Sequence, residues 1–189
     1  MTAARVALFA ACLLPALWLA WRAGAGDLGA NPIETLARET GTWALRMLVA
    51  TLAVTPLRRL TGWNSLTRFR RMLGLFSFFY ATAHLLTYVV LDQFFDWPEI
   101  VADILDRPFI TVGMATYLLL LPLAVTSTKG WQRRLGRRWK RLHRLAYVAL
   151  PLAVLHYLWL VKADLREPMI YLVIAALLLG SRLIRVRGS

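Results

Sequence analysis

Six stretches of this chain are apolar over lengths that match a lipid bilayer, and that pattern leaves few folds open. A helix crossing the hydrocarbon core needs roughly 17–25 mostly apolar residues. Stretches of about this kind run over residues 4–21, 42–57, 72–91, 109–126, 142–161 and 169–184, the second of them short and holding Arg46. Inside lipid every backbone polar group must be satisfied within the protein, so such stretches are expected to be helices. The expected fold class is therefore all-α integral membrane: one transmembrane domain, residues 1–189, built as a bundle of six transmembrane helices. Composition agrees, because 59% of the residues are hydrophobic and only 17% are charged, less charge than a soluble domain carries.

The net charge of +13 raises the possibility of a nucleic-acid surface, but its distribution argues against one. The connection between the second and third stretches carries Arg58, Arg59, Arg68, Arg70 and Arg71 and no acid. The connection between the fourth and fifth carries Lys129, Arg133, Arg134, Arg137, Arg138, Lys140 and Arg141, again with no acid, and the tail carries Arg182, Arg185 and Arg187. The third-to-fourth connection is acidic instead, with Asp92, Asp96, Glu99, Asp103 and Asp106 against Arg107. Cytoplasmic loops carry the excess of Lys and Arg, so the basic loops, Arg5 and both termini are expected to face the cytoplasm. The sign alternates without a break over six spans. The first stretch, with Arg5 and small residues at Ala23–Gly26, also fits a cleaved signal peptide. Its length and the interfacial Trp18, Trp21 and Arg22 favour an uncleaved helix. The single cysteine, Cys12, excludes an intramolecular disulfide and a four-thiolate iron–sulfur centre. No internal repeat or low-complexity segment is visible.

The chain has three histidines, and all fall in or at the ends of two apolar stretches. His84 lies about 12 residues into the third and His156 about 14 into the fifth. At ~1.5 Å per residue, both sit some 18–21 Å from the cytoplasmic end. Two imidazoles at matched depth on neighbouring helices can ligate one haem iron from opposite sides. His143 precedes His156 by thirteen residues, which leaves the two roughly 140° apart on an ideal helix. Pro151 lies between them and can kink or unwind the turn. On the third stretch the matching positions, 14 and 13 residues before His84, are Arg70 and Arg71. Arginine stays protonated and is a poor iron ligand, but it can hold a haem propionate or a flavin phosphate. The bland readings are an interhelical hydrogen bond for each histidine, headgroup contact for His143 beside Arg141 and Arg144, and charge anchoring for Arg70 and Arg71. Arg46 is expected to snorkel outward beside Trp43.

Several segments carry a resemblance. They are Asn31-Pro32-Ile33-Glu34, Thr40-Gly41-Thr42-Trp43-Ala44-Leu45, Thr55-Pro56-Leu57, Arg70-Arg71-Met72-Leu73-Gly74-Leu75 with His84, Arg107-Pro108, Thr126-Ser127-Thr128, Leu142-His143, and His156-Tyr157-Leu158-Trp159 with Lys162. In this order and spacing the chain resembles the ferric-reductase-like transmembrane haem family, and within it the branch of small haem-binding membrane subunits called MsrQ or YedZ. The resemblance implies a b-type haem (one or two per chain), with FMN also associated. It implies haem-iron ligation by His84, His156 and His143, with Arg70 at the position of a missing ligand. It implies a bacterial inner (cytoplasmic) membrane location. It also implies a periplasmic molybdopterin partner, the methionine sulfoxide reductase MsrP, which repairs oxidised envelope proteins. The donor would be the respiratory quinone pool or a cytoplasmic flavin reductase. No Gly-rich dinucleotide loop and no room for a nicotinamide domain are found, so electrons are expected to come from quinol or another protein. No catalytic constellation for sulfoxide chemistry is present. The acidic connection Asp92–Asp106 is a candidate docking face for the partner. The rival readings are a stand-alone haem-containing metal or quinone reductase, and a cofactor-free scaffold or transporter.

Overall fold

A computed structural model describes residues 3–161 and 163–183; Lys162, Arg185, Arg187 and the predicted end of the last span at residue 184 lie outside them. Among the described residues the chain is helical, without a strand. The helices are α1 (Ala3–Gly24), α2 (Pro32–Thr61), α3 (Arg70–Leu86), α4 (Trp97–Asp106), α5 (Pro108–Val125), α6 (Lys129–Leu135), α7 (Arg137–Leu142), α8 (Ala146–Leu160) and α9 (Arg166–Leu183). A 3-10 segment, Asn64–Phe69, leads into α3, and a π-helical segment, Thr87–Asp92, continues it. Each of the six apolar stretches is helical. Among the described residues, three helical segments are long and apolar enough by themselves to cross a membrane: Ala3–Gly24, Asn64–Asp92 and Pro108–Val125.

The largest departure from expectation is α2, which begins ten residues before the predicted start. Asn31 caps it, its side chain accepting from the Glu34 N–H at 3.3 Å, and Pro32 occupies the first turn, where its missing N–H costs nothing. The first turns are polar, so apolarity alone could not reveal them. Gly62, at φ 72°, ends the helix, and its N–H returns to the Arg58 carbonyl at 3.0 Å. Only a residue without a Cβ takes this left-handed conformation without strain.

α2 packs along α3, and α5 along α8. Leu45, Leu48 and Leu52 of α2 meet Leu120 and Leu123 of α5, Ala149, Leu150 and Val154 of α8, and Ala175 of α9 in one core. A second core joins Cys12 of α1, Met47 of α2, and Phe76 and Tyr80 of α3. The Tyr80 hydroxyl donates to the Cys12 carbonyl at 2.7 Å and accepts from the Ala16 N–H at 3.1 Å. It thus enters the α1 hydrogen-bond ladder beside Pro15, where the ladder already lacks a donor. α1 packs against α2 and α3. Large apolar side chains such as Leu14, Leu17, Leu118 and Leu177 remain exposed on the outside, as in a protein whose solvent is lipid.

Pro56 has a similar consequence inside α2. Having no N–H, it leaves the Leu52 carbonyl without its helical partner. Arg182 of α9 fills the gap, with Nη2 donating to Leu52 O at 2.8 Å and Nη1 to the Tyr147 hydroxyl at 2.9 Å. The sequence counts Arg182 with the basic tail at the end of the last stretch; the structure places it half-buried between α2, α8 and α9. Arg46 behaves as expected, stacking 4.9 Å over Trp43 and donating to the Tyr171 hydroxyl at 3.1 Å.

Candidate functional site

His84 stands on α3 and His156 on α8, and the bundle brings their rings to 6.0 Å, centroid to centroid, at 74° between planes. Each ring is fixed by a helix it does not belong to. His84 Nδ1 lies 2.8 Å from the Ala37 carbonyl of α2, and His156 Nδ1 lies 2.6 Å from the Phe109 carbonyl of α5. A carbonyl can only accept, so in both rings Nδ1 carries the proton. This leaves the Nε2 lone pairs free, and no protein hydrogen bond reaches either Nε2 among the described residues. A histidine that binds a metal through Nε2 takes this tautomer, its other nitrogen donating to a carbonyl or carboxylate.

The spacing also fits. A metal–nitrogen bond is about 2 Å, and each nitrogen lies roughly 1.2 Å from its ring centre. Two imidazoles sharing one iron thus stand about 6.4 Å apart, within a few tenths of an ångström of the separation found. No three His, Cys, Asp or Glu side chains converge on a common point among the described residues. Two imidazoles by themselves suit an iron whose remaining ligands belong to a macrocycle.

His143 is placed differently. It opens a 3-10 segment, His143–Leu145, just before α8. The phase problem between His143 and His156 is met there, since α8 runs unbroken through Pro151. Three steps at about 120° instead of 100° narrow the ideal 140° gap to roughly 80°, and both histidines face α5. His143 Nε2 lies 3.1 Å from Thr126 Oγ1, whose own proton goes to the Pro122 carbonyl at 2.6 Å. The Thr126 oxygen therefore accepts, and His143 donates from Nε2, the opposite tautomer to His84 and His156. Its ring lies 3.9 Å from Trp139, stacked at 28°, and the Trp139 indole donates to the Thr126 carbonyl at 2.9 Å. Of the two candidate arginines, Arg70 is half-buried, whereas Arg71 is exposed. In this arrangement the inner residues do not form a second bis-imidazole pair.

The acidic connection is also more structured than a solvated loop. Asp96 caps α4, accepting from the Glu99 N–H at 3.2 Å. Asp103, expected on a docking face, is 3% exposed. It accepts from the Tyr88 hydroxyl at 2.8 Å and from Gln93 at 3.2 Å, and pairs with Arg107 at 2.8 Å. Asp92, Asp96, Glu99 and Asp106 remain exposed.

Residues 40–154 match the family model described as ferric reductase like transmembrane component. The chain belongs to that family. Within it, the chain is 59% identical over 181 residues to a protein of Rhodospirillum rubrum named protein-methionine-sulfoxide reductase heme-binding subunit MsrQ, covering 95% of this chain and 87% of that one. Proteins of the same name from Xanthomonas axonopodis pv. citri and Caulobacter vibrioides are 54% and 58% identical. They cover 95% and 85% of this chain, and 85% and 77% of their own lengths. The chain therefore also belongs to the MsrQ branch of the ferric-reductase-like family. The family match takes in Arg70, His84 and His143 and stops two residues short of His156. The partners Ala37, Phe109 and Trp139 were not singled out from the sequence, because a backbone carbonyl or a stacked ring leaves no mark in residue type; Thr126 entered only as part of a segment carrying the resemblance, without a role.

Proposed function

We propose that the chain is the haem-binding membrane subunit of a methionine sulfoxide reductase system and holds a b-type haem between His84 and His156. One observation carries this reading: two imidazoles 6.0 Å apart, each anchored through Nδ1 to a carbonyl of a neighbouring helix. The names of the relatives support it. Bound there, the haem supplies one-electron chemistry. The protein's own part is to fix both tautomers, hold the two rings close together and keep them among helices where water is scarce.

All six apolar helices cross the bacterial inner membrane in this proposal, with the basic connections and both termini in the cytoplasm. His84 and His156 then lie in the outer half, near a periplasmic molybdopterin partner of the MsrP kind. That partner carries out the sulfoxide chemistry, for which this chain offers no residues. Asp92, Asp96, Glu99 and Asp106 form the acidic surface on that side. The donor is the quinone pool or a cytoplasmic flavin reductase. At the inner end, Arg70 beside His143, with Arg71 outside it, favours a group bearing phosphate or propionate. That group is FMN or a second haem, held there by charge.

The test removes this chain from cells whose catalytic subunit is intact and follows repair of an oxidised periplasmic protein. Repair should be lost. Repair that continues unchanged would point to a stand-alone metal or quinone reductase instead.

A further inference from the structure

Ala37, Gly41 and His84 have counterparts in Phe109, Gly113 and His156. In each set the glycine follows the accepting residue by four positions and the histidine follows the glycine by 43. A single offset of 72 residues relates the two sets. The pair α2 and α3 thus presents one imidazole in the same way that α5 and α8 present the other. The two half-sites share almost no other residues, so the repeat is hidden in the sequence and legible in the geometry.

The four-residue interval has a physical reason. In an α-helix the carbonyl of residue i pairs with the N–H of residue i+4, so the carbonyls of Ala37 and Phe109 point at Gly41 and Gly113. Every Cα–Cβ bond leans toward the helix N-terminus, and a side chain covers the turn before its own Cα. A Cβ at i+4 therefore stands where a second donor must come in to reach carbonyl i. A Cβ built at Gly113 would lie 2.8 Å from both Nδ1 and Cε1 of His156. One built at Gly41 would lie 3.1 Å from Nδ1 and 3.2 Å from Cε1 of His84. By contrast, a Cβ at Gly180 meets nothing within 4 Å, and one at Gly74 meets only Thr51 at 3.6 Å.

We infer that Gly41 and Gly113 are positioning residues for the two imidazoles: by lacking a Cβ they open the Ala37 and Phe109 carbonyls to His84 and His156 and so set the strength of both Nδ1–H hydrogen bonds. The inference rests on the haem reading of this pair. A strong bond to Nδ1 makes the imidazole a better electron donor. It therefore favours the oxidised iron and lowers the reduction potential. Lengthening the bond raises the potential, and the steric clash is the greater at Gly113.

The experiment purifies the full chain with its haem in detergent. It compares Gly41→Ala and Gly113→Ala with Gly74→Ala and Gly180→Ala by optical redox titration, low-temperature EPR and size-exclusion chromatography. The midpoint potential is expected to move upward in Gly41→Ala and further in Gly113→Ala, with altered EPR g-values, while both controls keep the parent's potential. Loss of the Soret band from a monodisperse Gly113→Ala, with an upward shift in Gly41→Ala, supports the same conclusion. Should Gly113→Ala not fold, Gly41→Ala decides. A potential and EPR spectrum unchanged in Gly41→Ala, or an equal shift in the controls, overturns the inference. A parent protein without a Soret band would instead remove the haem reading on which it rests.

Discussion

At the scale of single residues the three histidines divide by tautomer. His84 and His156 spend Nδ1 on carbonyls and keep Nε2 free, whereas His143 spends Nε2 on Thr126. His143→Ala is therefore expected to leave the His84/His156 haem in place, with a Soret band retained in the purified protein, while any group held near His143 is lost or loosened. Loss of the whole spectrum in that variant would contradict the division. Tyr80 offers a second test at this scale. Its hydroxyl bridges Cys12 O and Ala16 N, and Tyr80→Phe leaves both groups buried and unpaired by side chains. The expected cost is about 1–2 kcal/mol, read from denaturant unfolding in detergent. No loss would mean that the α1 ladder closes by itself.

At the scale of elements, prolines decide where helices exchange partners. Pro56 frees the Leu52 carbonyl, and Arg182 of α9 takes it. Arg182→Ala should cost about 1–3 kcal/mol for the unsatisfied buried carbonyl, again measured by unfolding. In a Pro56→Ala background the cost should shrink, because residue 56 then supplies an N–H to Leu52 O. Equal costs in the two backgrounds would show that Arg182 acts only through Tyr147. Such exchanges explain what the sequence could and could not convey. Apolar length located a helix in each of the six stretches, and among the described residues three helical segments are long and apolar enough to cross a membrane. The polar first turns of α2 escaped that signal, although Asn31-Pro32 is a cap that could have marked them. Pro151 drew attention as the expected break before His156. The break lies instead at His143–Leu145, where the chain overwinds to aim His143 at α5. The acidic connection read as a candidate docking face, yet α4 is amphipathic enough to bury Ile100 and Asp103.

At the scale of the whole molecule, the proposed topology places charge and the proposed haem site along one axis. None of the ten Asp and Glu residues falls in the connections assigned to the cytoplasm. In a Cys12→Ser background, Glu99→Cys should react with a membrane-impermeant maleimide in intact spheroplasts, and Arg133→Cys only after permeabilisation. The reverse pattern would invert the topology. The depth-matched pair was legible from sequence because a histidine inside a membrane helix is costly and rare. The carbonyls and glycines that aim it were not, since they contribute an acceptor and an empty space rather than a side chain. The central claim is that His84 and His156 hold one haem together. Its most direct test is haem quantitation and the optical spectrum of the purified parent, His84→Ala and His156→Ala proteins. The parent should show a six-coordinate b-type spectrum, and each variant should lose it. A Soret band of undiminished intensity and position in either variant would contradict the claim.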